Sequence, residues 1–250
     1  MTTHTDTAPT TPPAATTPVG TGMDPMRKVA LAGGLMYLLT FAASFPQLKL
    51  FAGLIDDPTA YISGSGSNTA VFWGSWLEVI TAVACIGTAV ALYPATRRVS
   101  RTAAIGFVTS RVVEATLIVV GVMCVLSVVT LQHRFAGATG AQADALGVTG
   151  EALVAMRQWT FLLGPGFIAG INGLFLGYAM YKGRLVPRII PTLGLIGAPL
   201  ILMSATVTIL GGWDQMSVPS ALCTIPIAVW EFSLGVWLTF KGFRNAPGSV

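Results

Sequence analysis

The chain has 250 residues, of which 53% are hydrophobic and only 10% charged, and its mean hydropathy is +0.72. A soluble domain carries about 25% charged residues, so this chain cannot clothe a soluble surface and reads as a polytopic membrane protein. The net charge of +4 does not point to nucleic acid as a partner, because the basic residues sit in short segments between apolar runs rather than on one face.

Residues 1–22 are rich in Thr, Pro and Ala. They hold no apolar run and no basic n-region ahead of one, so they read as a disordered tail and not as a signal peptide. Residues 23–250 read as one transmembrane domain. Its apolar segments lie at roughly 28–48, 70–93, 102–131, 157–181, 189–211 and 219–240. Each reaches the approximately 20 residues that a helix needs to cross about 30 Å of hydrocarbon. Inside lipid an open chain satisfies its backbone only as helix. The expected fold is therefore all-α, a polytopic transmembrane bundle of six helices.

Lys and Arg give the orientation. Arg27 and Lys28 precede the first segment; Arg97, Arg98 and Arg101 follow the second; Lys182, Arg184 and Arg188 follow the fourth; Lys241 and Arg244 follow the last. These ten of the fourteen basic residues fall on one side. Lys49, Arg134 and the segment-edge Arg157 fall on the other, beside Asp56, Asp57, Asp144, Glu151 and Asp214. The positive-inside rule places both termini in the cytoplasm of a multi-pass protein in the cell membrane, with the bilayer as its first partner. The outward segments 49–69 and 132–156 read as loops, the second ending in a short interfacial helix. Trp159, Trp213 and Tyr93 fall near the expected interfaces, as an aromatic belt would.

The fourth segment reads GPGFIAGINGLFLGY. Its Gly166, Gly170, Gly173 and Gly177 share a helix face, which favours close helix packing over a substrate groove. Pro165, Pro191, Pro199 and Pro226 lie in or at the ends of spans, where they free carbonyls and kink helices. No phosphate loop, serine elbow, HExxH or CxxC pair occurs, so no catalytic, cofactor-binding or metal-ligating residue is assigned and no cofactor is expected. Cys85, Cys124 and Cys223 stand in apolar runs and read as small buried hydrophobes. His4 and His133 are too few for a histidine metal centre. The adjacent Asp56 and Asp57 lack further acidic partners at calcium-ligand spacing.

The informative residues are charges inside apolar segments. Arg111 and Glu114 share the third segment, Glu78 sits in the second and Glu231 in the sixth. Each costs about 2.5–3.5 kcal/mol at mid-membrane on insertion scales unless it faces inward to a partner. Counted at 1.5 Å per residue from the basic edges, Arg111, Glu231 and Asn172 lie roughly 15 Å deep and Glu114 roughly 20 Å; counted back from Tyr93, Glu78 lies roughly 22 Å deep. The five are therefore expected in one buried polar cluster. Arg111 and Glu114 are three residues apart and can touch; Arg111 has donors enough for Glu231 as well. Three carboxylates against one guanidinium leave a surplus of negative charge, with Glu78 the least obviously paired.

Four stretches resemble the bacterial DUF4386 family of integral membrane proteins: ALYPATRR (91–98), SRVVEATLIVVG (110–121), GYAMYKGRLVPRIIPTLGLIGAPLIL (177–202) and AVWEFSLGVWLTFKGF (228–243). The resemblance spans about residues 28–243 and implies a multi-helix membrane domain. It implies no activity, substrate or catalytic residue. Three functions fit the residues. A cluster that moves or senses a small solute or protons requires a cavity reaching Arg111 and Glu231. A structural or accessory protein, docking a protein partner, requires a dry and fully paired clamp. An intramembrane enzyme acting on lipid requires a nucleophile or metal site beside the carboxylates, and none is visible in the sequence.

Overall fold

The computed structural model describes residues 23–135 and 137–244. The tail at 1–22 lies outside the described residues. Among those described there is no strand, and six helices are long and apolar enough to cross a membrane: α1 Pro25–Asp56, α2 Asn68–Val99, α3 Arg101–Arg134, α4 Ala141–Lys182, α5 Ile189–Ile209 and α6 Val218–Phe240. This is a multi-pass membrane protein with an all-α fold.

Four of the helices run longer than the hydropathy of the chain marks out. The expected loop at 94–101 shrinks to one residue. Ser100 ends α2, its N–H donating to Thr96 O at 3.0 Å, and begins α3, its hydroxyl accepting from Ala103 N at 3.3 Å. One serine thus satisfies orphan groups of two helix ends. The expected loop at 49–69 keeps helix to Asp56, then makes a single turn, Pro58–Ala60, and an irregular turn over 61–65 that breaks at Gly64, whose φ is 108°. The expected interfacial helix in 132–156 is instead the first part of α4.

Each helix packs on its neighbours in the chain, and α6 returns to α1, so the six close a ring. Small residues set the close approaches. A Cβ on Gly34 of α1 would stand 2.6 Å from Thr239 N of α6, and one on Gly197 of α5 would stand 2.5 Å from Ile227 N of α6. Only glycine lets these backbones meet. The α4 glycines behave as their spacing predicts at three of four positions: Gly170, Gly173 and Gly177 abut Leu202, Ala198 and Leu195 of α5, whereas Gly166 meets only its own helix.

The helix order leaves the bundle with two unlike ends. One, the basic end, gathers the start of α1 and the end of α6: Arg27 donates to the carbonyls of Leu238 and Thr239 at 3.0 and 2.6 Å. Arg244 N donates to Leu185 O at 2.8 Å, tying the last described residue to the α4–α5 loop. Two packed cores stack along the bundle. Tyr37, Phe107, Leu176, Trp230 and Leu238 belong to the core nearer the basic end; Phe51, Tyr61, Val125, Val129 and Val154 form the core toward the far end.

Candidate functional site

Ionisable side chains occupy two levels inside this ring. The inner level centres on Arg111 of α3. Its Nη1 donates to Glu114 Oε2 at 2.9 Å and its Nη2 donates to Glu231 Oε1 of α6 at 2.8 Å. Asn172 of α4 donates its amide N–H to the same Glu114 oxygen at 2.5 Å. Cys85 Sγ of α2 accepts a longer contact from Arg111 Nη1 at 3.5 Å. The guanidinium also lies 5.0 Å from the ring centroid of Tyr37 of α1 and 5.7 Å from that of Phe107. Five of the six helices thus meet at Arg111 and its partner Glu114.

Local sequence explains the arrangement. The i, i+3 spacing sets Glu114 beside Arg111 on one face of α3. Gly164 lets α4 come close: a Cβ there would lie 3.0 Å from Leu117 Cβ and 3.6 Å from Glu114 O. Two turns on, that contact brings Asn172 to Glu114. Arg111 and Asn172 are 2% and 0% exposed. A charge so buried persists only when it is paired and hydrogen-bonded, and Arg111 is both.

Glu78 does not join this group. It pairs with Arg157 of α4, whose Nη2 donates to Glu78 Oε1. The Arg157 guanidinium lies 5.6 Å from the ring centroid of Phe51 and 5.2 Å from that of Phe161. Gly121 of α3 leaves the room: a Cβ there would crowd Arg157 Cδ at 3.1 Å. Arg157 and Glu78 are 5% and 2% exposed. The expected single cluster of five residues is therefore an inner group of four and a separate outer pair, Glu78 with Arg157 from the edge of the fourth apolar segment.

Helix lengths account for the split. Measured along each helix from its basic end at about 1.5 Å per residue, Arg111, Glu114, Glu231 and Asn172 lie roughly 14–20 Å deep. Because α2 runs through Pro94 to Val99, Glu78 lies roughly 31 Å deep by the same count. Arg157, counted from Lys182, lies roughly 37 Å deep. Glu78 meets the charge at its own level.

Between the levels is a cavity of about 260 Å³ to which all six helices contribute. Glu78 lines it at one level, and Arg111, Glu114 and Glu231 at the other; Thr40, Ser44, Gln47, Thr81 and Thr224 add polar groups and Phe41, Phe45 and Phe161 add aromatic ones. α1 and α6 touch through Gly34 and Gly235 and then through the Phe41–Phe232 edge contact, with centroids 5.6 Å apart. Beyond it the wall residues Phe45, 64% exposed, Leu48 and Thr224 mark the cavity's mouth. A second cavity of about 490 Å³ lies toward the far end, lined by Asp56, Asp214, Gln215 and Arg157. Leu48 and Phe161 line both, so the Arg157–Glu78 pair stands between them.

The wall of the inner cavity includes a distorted stretch of α4. Leu162–Ile168 is π-helical around Pro165, and the Ala169 N–H reaches back five residues to Gly164 O. Proline has no N–H to give, and the wider turn absorbs the mismatch. Pro165 itself faces the cavity. Several buried polar atoms nearby have no hydrogen-bond partner among the described residues, among them Gln47 Oε1, Glu78 Oε2, Asn172 Oδ1 and the Tyr37 hydroxyl.

Comparison with known proteins gives the chain a family and no closer likeness. Residues 32–242 match the model of a family described as a domain of unknown function, DUF4386, and the chain belongs to that family. No curated protein and no solved structure matches it.

Proposed function

We propose that this protein moves or senses a small solute or protons through the intramembrane cavity, with Glu231, Glu114 and Arg111 as the inner binding group. We place it in the cell membrane with both termini cytoplasmic, because ten of fourteen basic residues flank the helices on one side. The observation that carries the reading is the cavity of about 260 Å³ lined by Arg111, Glu114 and Glu231 at one level and by Glu78 at the other. A clamp that only fixes helix register has no use for such a space, since filling it with side chains would stabilise the bundle. Ionisable groups kept inside a membrane and facing a cavity mark solute or proton paths as a rule.

A second reading has its own observation. Both terminal nitrogens of Arg111 are bonded to carboxylates on different helices, which is what a structural lock requires. Reconstituted vesicles separate the two. The transport reading expects the protein to dissipate an imposed pH gradient faster than protein-free vesicles. It also expects Glu231→Gln to remove that excess while its melting temperature stays near that of the parent. Vesicles as tight as empty ones, together with a Glu231→Gln variant that melts far lower, would favour the lock.

A further inference from the structure

We propose that the solute of the inner cavity is a compact organic cation, an ammonium carried on an apolar body. This rests on the cavity reading above and names the class of molecule that the same site takes. Charge comes first. Glu114 and Glu231 line the cavity bonded to Arg111, Glu78 lines its other level, and Arg157 holds Glu78 from outside it. With these groups ionised, three carboxylates meet two guanidiniums, so one negative charge has no counterpart. An anion would find Arg111 already engaged at both terminal nitrogens, with only its buried Nε left to donate.

Hydrogen-bond capacity points the same way. Glu78 Oε2 and Gln47 Oε1 belong to side chains that line the cavity and are 2% and 5% exposed, and neither has a donor. Buried acceptors without donors are costly. An ammonium brings three donors and no acceptor. A carboxylate brings only acceptors, for which the side chains lining the cavity offer one unpartnered donor, Arg111 Nε, against two unpartnered acceptors.

The rest of the wall fits an apolar body. Phe41 and Phe45 lie side by side, centroids 6.0 Å apart, and Phe161 lines another part of the wall. Ring faces attract a desolvated cation and pack its hydrocarbon. Ile118, Ile201 and Ile227 line the remainder. At about 260 Å³ the space lies at the small end of ligand cavities, which suits one ring or a short branched chain.

The test uses the full-length protein in detergent and three probes of one shape: phenethylammonium, neutral 2-phenylethanol and anionic phenylacetate. Thermal unfolding is followed as each is titrated. The expected result is a rise in melting temperature with phenethylammonium alone. Glu231→Gln should raise the half-saturating concentration about ten-fold, and the mouth variant Phe45→Ala about three-fold. Phe45→Ala keeps the test open if Glu231→Gln fails to fold. A rise with phenylacetate as large as with phenethylammonium, or with all three alike, overturns the cation class and leaves the cavity reading in place. No rise with any probe also overturns the cation class. If in that case Cys85, which lines the cavity, is closed to small thiol reagents as well, the cavity reading falls with it.

Discussion

The two ionic levels differ in how they are held. Arg111 is bound by two carboxylates from two helices, its partner Glu114 is bound again by Asn172, and two aromatic rings lie 5.0 and 5.7 Å from the guanidinium. Arg157 has one carboxylate partner and two flanking rings, and the pair stands between two cavities, Glu78 lining one and Arg157 the other. The inner level is a many-sided knot in the fold; the outer level is a single latch between two spaces. Buried charges therefore need not share one role within one bundle. The number of partners sets how far each can move without unfolding its surroundings.

Mutations can break or sharpen this contrast, most simply by the midpoint of detergent-induced unfolding. Arg111→Met strands the buried Glu114 and the part-buried Glu231 and should cost about 5 kcal/mol, the upper range for an uncompensated buried charge. Arg157→Met strands one and should cost roughly 3 kcal/mol. An equal or reversed order would erase the distinction between knot and latch. Asn172→Leu removes one donor to a charged acceptor and should cost about 2 kcal/mol; a neutral result would mean that Glu114 is held by Arg111 alone. Phe51→Leu removes one face from Arg157 and should cost about 1 kcal/mol, while admitting thiol reagents to the inner cavity faster than in the parent.

Much of this architecture is legible in the chain. Lipid permits an open chain only helix, so six apolar runs already specify six spans. The inner group is legible because Arg101, Lys182 and Lys241 stand at true helix ends, so counting inward from them gives correct relative depths. The outer pair is not. Counting Glu78 from Tyr93 omits six residues of helix beyond it, about 9 Å, because Pro94 and the arginines after it resemble a loop. Asp144 and Glu151 likewise make 141–156 look like a loop, although α4 begins at Ala141. The signal in the chain is that Arg157 stands at the inner edge of an apolar segment on the far side and Glu78 is the intramembrane carboxylate least obviously paired. The cavity was beyond reach, since it depends on ring closure between α1 and α6 and on the π turn at Pro165, and proline spacing alone gives only a kink.

The central claim is that solute reaches the inner ionic level. Cys85 reports on it directly, because its thiol lines the cavity and lies 3.5 Å from Arg111 Nη1. In a protein carrying Cys124→Ala and Cys223→Ala, 2-aminoethyl methanethiosulfonate should label Cys85 in folded protein, and phenethylammonium should slow that labelling. Cys85 that reacts only after the protein is unfolded would contradict the account.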